Sequence, residues 1–247
     1  MSSQPAGPVS PRRRRPSALS RESIIRAAIG VIDLEGVQAL SMRRLAQAMD
    51  VGTMSLYYYV RTKDELLALV DDALMGEQIL ASSTVPPDDW RAALTELAVR
   101  SCEAFKRHPW RLAVLGGITH RGALGANGLR HLEQSLAAAG VTGLPLRECL
   151  NIVQLVDNYV VGHVLRTAGK NDTEQREIGD VISVSVADGS YPLISALFGD
   201  AGEAASSTVR FESYAEDDHA FLRGLGVLMD GIAAEVDRYR SSATSSR

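Results

Sequence analysis

From Arg21 to Glu35 the apolar residues Ile25, Ala28, Ile29 and Ile32 recur at the spacing that lines one face of an α-helix. Ser20 offers an N-cap oxygen, and Gly36 suits the C-cap. Ser41 opens a second short helix whose inward positions are Leu45, Ala46 and Met49. Asp50-Val51-Gly52 reads as a turn, and Thr53 is predicted to cap a third short helix running to about Tyr59. Thr62 then starts a longer helix. Asp64 and Glu65 sit at its positive end, and Leu66, Leu67, Val70 and Leu74 form its apolar stripe.

Residues 82–88 contain Pro86-Pro87 and break the pattern. A second helical series follows over residues 90–107, a short element near 110–115, then 126–139 and 146–167, with a connection at 140–145. Residues 169–173 and 200–207 read as loops. Residues 178–186 alternate like a strand, but an isolated strand has no partner, so a weak helix is the reading. A last helix over 219–240 carries Phe221, Leu222, Leu225, Leu228, Met229, Ile232 and Val236, and the tail from Ser241 is expected to fray. No internal repeat is present. The class is all-α. The expected division is a disordered basic arm (1–17), a three-helix helix-turn-helix domain (18–66), a larger helical domain (67–240) and a disordered tail (241–247).

Charge sharpens this division. The chain of 247 residues has 45% apolar and 23% charged residues, ordinary for a globular protein, and a net charge of -4. Residues 1–63 hold ten Lys/Arg against four acids, a net +6, which leaves -10 for the rest. A basic head on an acidic body is the footprint of a DNA-binding module joined to one that does not bind DNA. A nucleoid-type protein, basic throughout, is opposed by that body. Cys102 and Cys149 have no metal-ligand spacing and read as reduced core thiols. With no secretory pattern and no long apolar run, a cytoplasmic protein is expected.

The informative stretch is residues 40–63, LSMRRLAQAMDVGTMSLYYYVRTK. Two short helices across a turn fit a helix-turn-helix, whose second helix enters the DNA major groove. Leu45, Ala46, Val51 and Leu56 supply the packing between them. Gly52, Thr53, Met54 and Ser55 lead the second helix, where its end meets base edges. Arg43, Arg44, Tyr57, Tyr58, Tyr59, Arg61 and Lys63 flank it with phosphate donors. The tyrosines also fit ordinary amphipathic packing, with Tyr58 pointed away from its neighbours. The run Arg12 to Arg15 is either a solvated charge run or an arm that reaches the phosphates or the minor groove.

These residues resemble the N-terminal domain of TetR-family repressors: SMRRLAQAMDV, TMSLYYYV and TKDELL, over about Ser20 to Leu67. By position, the resemblance implies base or backbone contacts from Arg43, Thr53, Met54 and Ser55. It implies phosphate contacts from Tyr57, Tyr59 and Lys63, and packing roles for Leu56 and Val60. Thr53 is shorter than the polar residues that tetracycline repressors carry there, so a different operator is expected. Further on, DWRAAL (from Asp89), RHPW (from Arg107) and NGLRHLE (from Asn127) resemble the C-terminal domain of tetracycline-type repressors. That likeness implies a homodimer built from the helices at 146–167 and 219–240, with Leu225 on the interface.

It also implies a pocket for a small-molecule inducer. Candidate lining residues, each polar in an apolar stretch or at a helix boundary, are His120, His131, Asn151, Gln154, Asp157, Asn158 and His163. Taken singly, each also fits a surface position or a satisfied core hydrogen bond. Asn158 stands where tetracycline repressors place a metal-binding histidine, and Ser135 where they place a glutamine. Neither tetracycline, an obligatory metal nor any other cofactor is therefore expected. The expected function is a sequence-specific repressor released from a palindromic operator by ligand. An activator uses the same DNA chemistry and stays open as an alternative. A helical enzyme is the remote one, since HExxH, P-loop, GxSxG and GxGxxG motifs are all missing.

Overall fold

The structure is a computed structural model that describes residues 19–81, 86, 88–112, 125–167, 191–193, 196 and 218–245. The expectations for the arm, for residues 113–115, 169–173, 178–186 and 200–207, and for His120 lie outside the described residues. Every described element is a helix, and the chain divides into two units, Met1–Val70 and Asp71–Arg247.

The first unit contains α1 (Arg21–Glu35), α2 (Met42–Met49), α3 (Thr53–Tyr57) and the first half of α4 (Lys63–Gly76). The Ser20 hydroxyl accepts the Ser23 amide at 3.1 Å, while the Ser23 hydroxyl is held by the Ser20 amide at 2.9 Å. This reciprocal box satisfies two of the amides a helix start leaves unpaired. Gly36 ends α1 at φ 82°, a value that favours glycine. The inward face of α1 is Ile24, Ala28, Val31 and Ile32; Ile25 and Ile29, expected inside, are only half-buried. The Ser41 hydroxyl caps α2 by accepting the Arg44 amide at 3.1 Å.

α2 closes on Asp50 in the left-handed region, φ 54°, a conformation that Asp tolerates better than most residues. Only Val51 and Gly52 then separate it from α3. The N-cap of α3 is Gly52, which offers no side-chain bond, and Thr53 is the first helical residue rather than the predicted cap. At the next corner the Thr62 hydroxyl accepts the Glu65 amide at 3.0 Å, so α4 starts where expected.

The second unit contains the end of α4, then α5 (Trp90–Arg107), α6 (Ala126–Gly140), α7 (Leu146–Thr167) and α8 (Asp218–Ser245). Its core includes Leu94, Leu97 and Phe105 from α5, Ala139 from α6, Val153, Val156 and Val160 from α7, and Phe221, Leu225 and Met229 from α8. Fully burying a side chain of this size stabilises by about 1.5–3 kcal/mol. Hydrogen bonds fix how the helices meet. Tyr159 Oη donates to the Phe221 carbonyl at 2.8 Å, and their rings stack at 5.5 Å. Gln134 brackets Leu80, accepting its amide at 2.8 Å and donating to its carbonyl at 2.9 Å. α8 continues to Ser245, past the expected fraying point; Arg240 donates to the Thr142 carbonyl at 3.2 and 2.9 Å and so holds its last turns.

Candidate nucleic-acid interface and ligand cleft

The α2–α3 pair is anchored from within. Leu45, Ala46, Leu56 and Val60 are all buried, with Leu56 and Val60 at 0% exposure. In a helix as short as α3 those anchors determine what faces out. Met54 is 81% exposed and Tyr58 87%, while Ser55, Tyr57 and Arg43 are also exposed. Thr53, Tyr59 and Lys63 are half-buried. A methionine left in water at the head of a helix gains nothing from its own fold.

The cations differ in how firmly they are held. Arg43 forms no ion pair among the described residues. Arg44 Nε donates to both oxygens of Glu35, at 3.1 and 2.9 Å. That bond pulls the Glu35 carboxyl below its ordinary pKa and raises that of Arg44. Lys63 Nζ donates to the Val37 carbonyl at 3.3 Å. Arg21 was not singled out in the sequence, yet its guanidinium donates to the Tyr59 carbonyl at 3.3 and 3.1 Å and pairs with Glu65 at 3.4 Å. It ties the start of α1 to the corner after α3, which places the tyrosines. A residue 38 positions away in sequence gives no local signal of such a role.

In the second unit α5, α6 and α7 enclose a cleft lined by Leu94, Leu97, Ala98, Val153 and Val156, with Ser101, His131, Ser135 and Asp157 as its polar members. Ser101 Oγ donates to Gln78 Oε1 at 2.8 Å, and Ser135 Oγ to the His131 carbonyl at 2.9 Å. His131 is buried, and its Nδ1 has no hydrogen-bond partner among the described residues. Burial, helped by the Arg111 charge, pushes its pKa down and keeps the ring neutral. Asp157 retains solvent exposure as a residue, while the protein around its carboxyl raises its pKa.

Arg111 is 1% exposed. Its Nε and Nη2 donate to Asp71 at 3.1 and 3.0 Å, and the guanidinium lies 4.7 Å from the Phe105 ring centroid. Its Nη1 is also without a partner among the described residues, although Arg111 does not line the cleft. No group of three or more His, Cys, Asp or Glu suited to a metal occurs among the described residues. Cys102 and Cys149 are buried, and neither forms a disulfide among the described residues. No helix among the described residues is long and apolar enough to cross a membrane.

Residues 24–70 match the family described as bacterial regulatory proteins, tetR family, and residues 84–236 match the tetracyclin repressor-like C-terminal domain. The chain is 31% identical to the HTH-type transcriptional repressor DrrR1 of Streptomyces coeruleorubidus, covering 93% of this chain and 85% of that protein. The chain belongs to the TetR family. Among solved structures, apo ActR from Streptomyces coelicolor superposes with a TM-score of 0.69 at 27% identity, over 92% of this chain and 100% of that one. The same protein in complex with actinorhodin gives 0.64 at 25% identity, over 89% and 99%.

In this TetR-family regulator the ligand candidates fall in three places. His131 and Asp157 line the cleft. Asn151, Gln154 and Asn158 lie on the exposed side of α7, Asn151 donating to Glu148 at 3.0 Å. His163 packs against the Phe221 ring at 4.9 Å. Exposed apolar side chains share the outer side of α7, namely Leu150, Leu155 and Leu165, and α8 exposes Leu222 and Val227. Leu225 is 1% exposed and belongs to the protomer's own core, not to that outer side.

Proposed function

We propose that this TetR-family member is a homodimeric repressor that reads a palindromic operator with α3 and leaves it when a small molecule enters the α5–α6–α7 cleft. The observation that carries the DNA reading is the outward set Arg43, Met54, Ser55, Tyr57 and Tyr58 on a pair of helices whose inward residues are buried. Thr53, Met54 and Ser55 meet base edges. Met54 offers an apolar group of the kind that contacts a thymine methyl, and Thr53 and Ser55 offer hydroxyls that serve any base. Arg43, Tyr57, Tyr59 and Lys63 grip phosphates, and Tyr58 rests beside the backbone. Arg44, already shared with Glu35, contributes less than Arg43.

The exposed apolar positions of α7 and α8 form the dimer face, since an unpartnered apolar helix face of this kind is normally covered. Twofold symmetry then sets two α3 helices about one DNA turn apart. ActR takes actinorhodin; this chain takes a small molecule of its own in the cleft. The linkage to DNA runs through α4, which is one helix from Lys63 to Gly76. Its C-terminal turns are held by Arg111 through Asp71 and by α6 through Asp72. A ligand that shifts α6 biases the end of α4, and a differential affinity of about 1–3 kcal/mol between the two states is a typical coupling. The protein acts in the cytoplasm by binding, not by catalysis.

The test is a footprint of the purified protein on the DNA upstream of its own gene, and on genomic fragments selected by binding, with excess random DNA as competitor. A protected palindrome is expected. Binding that random DNA competes away on every fragment overturns the reading.

A further inference from the structure

Among the described residues that line the α5–α6–α7 cleft, two polar groups have no hydrogen-bond partner within the protein. The Ser101 and Ser135 hydroxyl protons are committed within the protein, to Gln78 Oε1 at 2.8 Å and the His131 carbonyl at 2.9 Å. His131 Nδ1 is buried without a partner among the described residues, in a side chain that is 8% exposed. Among the described residues Asp157 has neither a hydrogen bond nor an ion pair, and no Lys or Arg lines the cleft. For His131 the unmet buried nitrogen is costly, and the cost is relieved by whatever supplies the missing hydrogen bond, whereas the exposed Asp157 carboxyl meets water until a ligand replaces it.

The signs of these groups determine what that is. Burial first, and then the charge of Arg111, disfavour the protonated ring, so the His131 imidazole stays neutral and can accept at Nδ1. An ionised Asp157 only accepts. With five apolar side chains around them among the described residues, both groups ask a ligand for a proton donor, and Asp157, with no described cation lining the cleft, repels a ligand carboxylate.

From this geometry we infer that the cleft selects apolar ligands that carry a hydrogen-bond donor, a hydroxyl or an ammonium, received by Asp157 and His131. This deepens the ligand-responsive reading above and rests on it.

Three probes of one shape test it on the full-length dimer by equilibrium dialysis: 2-naphthol, 2-(aminomethyl)naphthalene and 2-naphthoate. The two donors are expected to bind at least tenfold tighter than the carboxylate. Asp157→Asn, a change at a solvent-accessible position that keeps side-chain size, should cost the ammonium probe tenfold or more and cost naphthol less. His131→Leu should weaken naphthol severalfold, with circular dichroism confirming that the variant is folded. Naphthoate binding as tightly as the donors, a donor preference unchanged in both variants, or no binding of any probe up to its solubility each overturns the proposal.

The same titrations repeated on the operator complex separate the two readings. Donor-selective binding that leaves DNA bound at saturation counts against ligand release and leaves the selectivity standing. DNA release by naphthoate as readily as by naphthol counts against the selectivity and leaves ligand release standing.

Discussion

Asp72 Oδ1, on α4, accepts the backbone amide of Asn127 at 2.9 Å and that of Gly128 at 3.0 Å, so one carboxylate caps the start of α6 from another helix. The Asn127 side chain returns the contact by donating to the Asp72 carbonyl at 3.1 Å. Two unpaired amides and the positive end of the α6 dipole meet a negative charge there. The closeness requires Gly125, because a Cβ at that position would stand 2.2 Å from Asp72 Cγ. His131 and Ser135 follow on the same helix, so the cap places the cleft's polar wall.

Gly125→Ala is therefore expected to destabilise the protein by about 2 kcal/mol, because the clash is relieved only by breaking hydrogen bonds to a charged group. The check is a double-mutant cycle in urea. In an Asp72→Ala background the carboxyl is gone, and Gly125→Ala should cost under about 0.5 kcal/mol. Additive costs for the two substitutions would sink the idea that the glycine serves the cap.

On the DNA side, Tyr57→Phe, Lys63→Ala and Arg43→Ala should each weaken binding to all sequences alike. The two cation removals should also flatten the salt dependence by about one unit of slope. Thr53→Ala and Met54→Ala should instead cost about 1–3 kcal/mol at particular base pairs and relax the preference there. Binding titrations on the footprinted operator and on single-base variants of it separate the two classes. A uniform loss from Thr53→Ala, or no loss from Lys63→Ala at moderate salt, would reassign those roles.

Where local chemistry marks a helix end, the sequence was readable. Ser20 and Gly36 bracket α1, and Ser41 opens α2; the Asp89 cap of α5, its carboxylate on the Ala92 amide at 2.9 Å, was not singled out. The phase of α1 was not readable, because Ile24, Ile25, Ala27, Ala28, Ile29, Val31 and Ile32 are apolar on several sides and more than one stripe fits them. Nor was the start of α3, where the left-handed turn at Asp50 decides how many residues remain before the helix. The helix-turn-helix side chains stand out because they lie within one short stretch. The cleft brings together Ser101, His131 and Asp157 from three helices. Its supports, Asp71 to Arg111 and Asp72 to Asn127, join residues 40 and 55 positions apart, beyond the reach of any periodicity.

The last helix separates the dimer from the core. Leu225 is 1% exposed within the protomer, whereas Val227 is 72% exposed. A charge at position 225 enters the protomer's interior, where it costs about 4 kcal/mol or more. Leu225→Glu should thus lower the thermal midpoint and expose apolar surface instead of giving a folded monomer. Val227→Glu should leave the helical signal intact and shift the sedimenting species from dimer to monomer at micromolar concentration. A Val227→Glu protein that stays dimeric would place the interface off this face of α8.

The buried imidazole gives a pH test with a definite sign. Burial and the Arg111 charge lower the His131 pKa below its ordinary value of 6.5. In the unfolded chain His131 takes up a proton as the pH falls through about 6.5, while in the folded protein it resists. The unfolded state then binds more protons, so His131 draws stability away as the solution is acidified from about 7.5 to 5.5, and it contributes no pH dependence above that window. His131→Gln has nothing to protonate. The stability difference between variant and wild type should move in the variant's favour as the pH is lowered through that range, and be constant above it. Urea melts of both proteins at half-unit intervals measure that difference directly, and the subtraction cancels the other four histidines. Parallel curves across the whole range would mean that His131 takes up its proton as readily folded as unfolded, and the neutral acceptor that the cleft offers its ligand would be lost with it.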